Sequence, residues 1–214
     1  MKIVPGNKVV EGNEVRQFRS GARTIISDDL YHKVLDYTVL SCVDVVAYFD
    51  RSPSDRVILM VERRENPAKG MLWYPGGRQF KNESFEDTVR RKLREEVGLD
   101  ASEYSIERQI GAFGFSCRSE DAMYGDLKEG FHANGIDYLA RIRNGDAAIK
   151  VDHTSKGYRW VDESMLRNSK GLHPYIAEVM NAAQIFDEQF TNIDHSFEEQ
   201  GFILFLLVSF LRIH

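Results

Sequence analysis

Apolar residues recur every four positions at Phe85, Val89, Leu93 and Val97, the spacing of one face of an α-helix. Ser84, just ahead of this stripe, suits an N-cap, with Asp87 three residues on as a short capping-box acid. Gly98 suits a C-cap, so the pattern predicts a helix that stops directly after Glu95 and Glu96. Lys92, Glu95 and Glu96 fall on or near the side away from the stripe. Other apolar runs read as strands. These are Thr38 to Phe49 and Arg56 to Glu62, joined by a turn containing Pro53, then Ile106 to Phe115, Gly135 to Arg143 and Tyr158 to Val161. Ser27-Asp28-Asp29 predicts the cap of a short helix through Leu35, and Leu172 to Phe190 reads as a C-terminal helix. Residues 1–26 are polar and glycine-rich and read as one loose strand pair. Arg118 to Glu129 is a charged loop of the kind that often shapes a substrate pocket.

Two positions break the pattern. Asp44 interrupts the apolar run from Val43 to Phe49. An unpaired buried acid is costly, which favours a functional over a structural role there. The stretch from Gly201 to Leu211 is eleven residues without charge. A spanning helix needs about 20. The segment therefore reads as an interfacial anchor, a homodimer contact, or chain folded back on the domain. No membrane partner is expected, although this tail leaves one open.

At 214 residues and 43% apolar composition, the chain can bury one good-sized core. Its net charge of −5 gives no electrostatic case for nucleic acid. Met1-Lys2-Ile3-Val4-Pro5 runs straight into polar sequence, so no signal peptide and a cytoplasmic location are expected. Cys42 and Cys117 lack metal-ligand spacing and read as free thiols.

The helix end suggests chemistry. Magnesium takes hard oxygen ligands and keeps water and substrate phosphate in its shell. A glycine loop at Gly77 followed by the paired carboxylates Glu95 and Glu96 can hold such a cation against a diphosphate. On charge pattern alone, a solvated acidic helix face explains the same residues.

Spacing separates the two. Gly77, Glu83, Arg91, Leu93, Glu95, Glu96, Gly98 and Leu99 stand in the register Gly-x5-Glu-x7-Arg-Glu-(apolar)-x-Glu-Glu-x-Gly-(apolar). This segment resembles the Nudix box. The resemblance implies an α/β/α sandwich with a mixed sheet over residues 27–190, between an extension at 1–26 and a tail at 191–214. It implies a Mg2+- or Mn2+-dependent hydrolase of small nucleoside-diphosphate-linked molecules. Glu95 and Glu96 would sit at the metal, and Glu83 would pair with Arg91 to hold the loop against the helix. One position departs: Lys92 stands where the family has glutamate, a metal ligand or general base in many phosphoanhydride-cleaving members. A protonated lysine does neither job at neutral pH. Either the protein is a non-catalytic nucleotide-binding module or its base lies elsewhere. Retention of Glu83, Arg91, Glu95 and Glu96 argues against the first.

GDP-mannose mannosyl hydrolases also lack that glutamate, and this chain is similar to them over roughly residues 28–185. The shared frame is Leu40-Ser41-Cys42-Val43-Asp44, Arg63, Pro67-Ala68-Lys69-Gly70, Trp73, Pro75-Gly76-Gly77-Arg78 and Tyr158-Arg159-Trp160. In that branch water attacks the sugar's anomeric carbon and GDP leaves. Carried over, Glu96 and the Gly77 carbonyl would bind metal, and Arg63 and Arg78 would hold the diphosphate. Asp44 would stabilise the cationic sugar, and His153 would activate water. Arg63 also reads as part of a surface cluster with Glu62 and Arg64. Lys92 also reads as a counter-charge to Glu96 one turn away. A phosphoanhydride hydrolase acting on ADP-ribose or similar, with Asp121, Asp126 or Glu129 as a spare loop acid, is the alternative.

Overall fold

The computed structural model describes residues 2–4, 8–11, 14–17, 27–122, 127–128, 130–169, 171–199 and 203–209. Asp126 and Glu129 lie outside these; Asp121 ends a single 3-10 turn, Ser119–Asp121. At the N-terminus β1 (Lys2–Val4), β2 (Lys8–Glu11) and β3 (Glu14–Gln17) form a three-stranded antiparallel sheet, one strand more than the expected pair. Helix α1 (Asp28–Tyr37) follows, with Ser27 Oγ accepting from the Leu30 N–H at 3.4 Å. Then come β4 (Leu40–Ser52), β5 (Asp55–Arg63), β6 (Leu72–Trp73), β7 (Gly76–Arg78), α2 (Phe85–Val97), β8 (Tyr104–Cys117) and β9 (Phe131–Ile142). The chain ends with β10 (Ser155–Asp162), α3 (Glu163–Arg167), α4 (Pro174–Ala183), α5 (Ser196–Glu199) and β11 (Ile203–Ser209).

The main sheet has eight strands in the order β10-β5-β4-β9-β8-β11, with β6 beside β5 and β7 beside β4. Only β4 and β9 run parallel, so the sheet is mixed. Alternate residues of β4 and β5 feed two cores, as a strand's period of two requires. Val43, Val45, Ala47, Leu59 and Val61 pack with the α2 stripe Val89, Leu93 and Val97. Val46, Tyr48, Ile58 and Met60 pack with Tyr175, Ile176, Val179 and Met180 of α4. Burial on both faces explains the continuous apolar runs of these strands. The result is an α/β/α sandwich.

Beyond the third N-terminal strand and the short β6, β7 and α5, three departures stand out from the sequence reading. The C-terminal helix is α4 alone, ten residues rather than nineteen. Pro174 starts it at the first helical position, behind the His173 cap. Gln184 ends it in the left-handed region at φ 50°. Asn181 then holds the returning chain, donating to the Phe190 carbonyl at 3.1 Å and accepting from its N–H at 2.7 Å. Short α3 was not foreseen; Asp162 caps it by accepting from the Met165 N–H at 2.8 Å. Ile203–Ser209 of the apolar tail form an antiparallel strand on β8, so this stretch folds back on the domain. Among the described residues no helix is long and apolar enough to cross a membrane.

The functionally important irregularity is a fork. Beyond Leu59, β5 leaves β4 and takes β6 as its neighbour, while the opening residues of β4 take β7. The β6–β7 segment fills the gap and brings Gly76 and Gly77 beside the last turn of α2.

Candidate active site

Local sequence sets the α2 end of this fork. Ser84 and Asp87 form a reciprocal capping box, each backbone N–H donating to the other's side chain at 3.1 Å. Gly98, at φ 76°, closes the helix through its N–H to the Arg94 carbonyl at 3.2 Å. Glu83, just before the helix, and Arg91, within it, form a bidentate pair. Arg91 Nε donates to Glu83 Oε1 at 2.7 Å and Nη2 to Oε2 at 2.9 Å. The same guanidinium donates to the Arg78 carbonyl at 2.9 Å and to Glu95 Oε2 at 3.1 Å, tying loop to helix. Burial works against a charged Glu83. Hydrogen bonds from Arg91, the Phe80 N–H and Thr88 outweigh it and hold the carboxyl below its usual range.

One turn on, Lys92 Nζ donates to Glu96 Oε1 at 2.7 Å, and the Gly76 N–H donates to Glu96 Oε2 at 2.9 Å. Both side chains are largely buried. Gly76 is required by close approach and Gly77 by its backbone angle. A Cβ on Gly76 would lie 1.9 Å from Asp44 Oδ1 and 2.5 Å from the Val43 carbonyl oxygen. Gly77 has φ 138°, and a Cβ there would lie 2.8 Å from Lys92 Nζ.

Above these groups is a cleft of about 310 Å³, lined by Tyr31, Arg63, Gly77, Arg78, Arg91, Lys92, Glu95, Glu96 and Thr154 among others. Besides Arg91, which is tied to Glu83, three cations line it. Arg78 lies over the Tyr31 and Phe80 rings at 4.6 and 5.5 Å. Arg63 donates to the Pro67 carbonyl at 2.5 Å, and burial lowers its pKa against the pull of Asp44 and Glu96. Lys92 is the third. Guanidinium and ammonium donors around a polar hollow suit phosphate oxygens.

Two candidates stand apart. Asp44 is buried behind Gly76 and is not among the lining residues. It accepts from Trp73 Nε1 at 3.3 Å and lies 2.8 Å from the Tyr175 hydroxyl. Burial raises its pKa to about 6, against the opposing hydrogen bond from Tyr175. His153 is exposed in the turn between Asp152 and Thr154, next to the lining residue rather than in the lining. Sequence reasoning missed Asp137 and Tyr175, which contact each other behind Asp44. The signal that exposed Asp44, an acid inside an apolar strand, was equally present at Asp137.

Among the described residues no three His, Cys, Asp or Glu side chains converge as a metal cluster. Glu95 and Glu96 bring hard carboxylate oxygens to a cleft that Gly77 also lines. They fit a magnesium-like cation that draws its other ligands from water and substrate.

A family model described as NUDIX domain matches residues 41–182. The chain is 27% identical over 162 residues to the low-salt glycan biosynthesis protein Agl8 of Haloferax volcanii, covering 74% of this chain and 91% of that protein. It is 28% identical over 118 residues to an ADP-ribose pyrophosphatase of Methanocaldococcus jannaschii, covering 50% of this chain and 68% of the relative. In fold it resembles a C. elegans Ap4A hydrolase, with a TM-score of 0.53 at 14% identity, covering 68% of this chain and 96% of the other.

Two outcomes follow from these contacts. Arg91→Leu strands the buried Glu83 carboxylate and should lower unfolding free energy by about 3 to 5 kcal/mol in urea titrations. Asp44 supplies a pH test. The folded state keeps a proton on it to about pH 6, the unfolded chain only to about 3.8. Between those values the folded state binds more protons, so this residue's contribution to stability falls as pH rises. Urea unfolding across that window should show a steeper decline for wild type than for Asp44→Asn.

Proposed function

We infer that this chain, which belongs to the Nudix family and is a Nudix hydrolase, acts on a nucleotide sugar such as GDP-mannose, water attacking the anomeric carbon. The carrying observation is Lys92 Nζ at 2.7 Å from Glu96 Oε1. A cation fills the position that a phosphoanhydride hydrolase would give to an acid, and it faces the cleft where a departing diphosphate gains charge. Likeness to a protein named for glycan biosynthesis supports a sugar-linked substrate.

In this reading Arg63 and Arg78 grip the diphosphate and Lys92 faces its growing charge. Glu95, Glu96 and the Gly77 carbonyl would hold Mg2+ or Mn2+. Bound there, the ion supplies Lewis-acid neutralisation of the leaving group. The water oxygen bonds to the anomeric carbon as the carbon–oxygen bond to the diphosphate breaks, and the nucleoside diphosphate leaves with the electron pair. The water proton passes to an imidazole nitrogen of His153, delivered by its turn at the cleft rim. Asp44 adds negative field from behind Gly76. The domain division proposed is residues 27–190 for the catalytic unit, flanked by the extension at 1–26 and the tail at 191–214. A cytoplasmic location accords with a nucleotide-sugar substrate.

Likeness to the ADP-ribose pyrophosphatase favours a second reading, cleavage at phosphorus. Three variants test the site on a panel of GDP-mannose and ADP-ribose, and the last two separate the readings. Glu96→Gln should cut turnover by on the order of 10²-fold or more. His153→Gln should cut it by roughly 10²- to 10⁴-fold with little change in KM. Lys92→Glu should give no gain on the nucleotide sugar. A large gain of Lys92→Glu on ADP-ribose, or full activity of His153→Gln on the sugar, would favour the second reading.

A further inference from the structure

Behind the cleft lies a hydrogen-bonded chain of three acidic groups. β4 and β9 run parallel with Asp44 and Asp137 in register. Tyr175 of α4 meets both: its hydroxyl oxygen is 2.8 Å from Asp44 Oδ2 and 2.8 Å from Asp137 Oδ1. Gly135 leaves room for that hydroxyl, since a Cβ there would lie 3.0 Å from it. The Tyr175 ring is stacked on Trp73 at 5.1 Å and 1°, so the phenol has little freedom to choose one partner over the other.

Proton counting constrains this geometry. A phenol carries one proton and can donate to one carboxylate. The second 2.8 Å contact requires a proton from the other carboxyl. Asp44 has a second donor in Trp73, lies nearer the cleft and feels the Arg63 charge. Asp137 has no exposed surface, and among the described residues its Oδ2 has no hydrogen-bond partner. A buried carboxylate so poorly solvated is expensive.

We propose that Asp137 is held as a neutral carboxylic acid that donates to Tyr175, whose hydroxyl donates to an ionised Asp44. Asp137 and Tyr175 are thus positioning residues that fix the orientation of Asp44. Burial and the neighbouring Asp44 charge raise Asp137 well above the ordinary carboxyl range, and burial likewise keeps the Tyr175 phenol protonated. The groups facing this pair are Asp44 and Cys42 from β4 and Tyr74 from the β6–β7 link; Arg63 and Glu96 act on Asp44.

The test needs no variant at its first step. In the full chain carrying carboxyl-¹³C aspartate, one resonance should stay at the protonated position through neutral pH, where an ordinary aspartate is fully ionised. That resonance should vanish in Asp137→Asn. Ionisation of every aspartate by neutral pH, or a protonated resonance that persists in Asp137→Asn, would overturn the proposal. The kinetic arm uses GDP-mannose and rests on the nucleotide-sugar reading. Asp137→Asn, whose amide N–H replaces the acid proton, should keep kcat within about threefold, whereas Asp137→Leu and Tyr175→Phe should lower it by about 10- to 10²-fold with KM nearly constant. An Asn variant as impaired as Leu would contradict it. The wild-type resonance reports the proton whatever the substrate is, so failure of the substrate reading and failure of this inference are told apart.

Discussion

Lys92 Nζ lies 2.7 Å from Glu96 Oε1 and against the bare Cα of Gly77, and the rest of the cleft is arranged around that contact. It fixes one oxygen of Glu96, while the Gly76 N–H fixes the other. The backbone at 77 lies at φ 138°, a region that favours glycine, and the bare Cα leaves the ammonium its room. Lys92 also sets the cleft's charge. With Arg63, Arg78 and Arg91 it gives four cations against Glu65, Glu95 and Glu96, a balance suited to a diphosphate rather than to free carboxylates. An acid at position 92 would place a third carboxylate beside Glu96 and shift the site toward binding more metal.

That contact can form only because the scaffold holds a loop and a helix end together. The sheet fork delivers Gly76 and Gly77, and the α2 stripe anchors the helix on Val43, Val45 and Val61. Arg91 bridges the two through Glu83, Glu95 and the Arg78 carbonyl. Its worth lies in geometry more than in net stability, since a buried ion pair roughly offsets its own desolvation while its rupture is costly. On the other face of the sheet Asp44, joined through Tyr175 to Asp137, backs Gly76, so both layers of the sandwich bear on the cleft.

Much of this was legible in the chain because it depends on local spacing. The four-residue stripe, the Ser84 cap and Gly98 defined α2 to the residue, and eight box positions carried the family. Strand cores were legible too, with ends displaced by one to four residues. What escaped was tertiary. Asn181 reaching Phe190 shortens α4, a contact no periodicity reveals. The apolar tail pairs with β8, which it could not announce alone. Asp137 gains its meaning only from the β4–β9 register and from a tyrosine 38 residues away. The cleft rim at His153 is likewise a product of how β10 begins opposite Arg63.

In the proposed reaction water attacks carbon rather than phosphorus. Its most direct test is turnover of GDP-mannose in H₂¹⁸O with magnesium, followed by mass spectrometry of both products. The account predicts the heavy oxygen on the released sugar and none on the nucleoside diphosphate. Label on phosphate, with an unlabelled sugar phosphate among the products or a labelled one in its place, would contradict it.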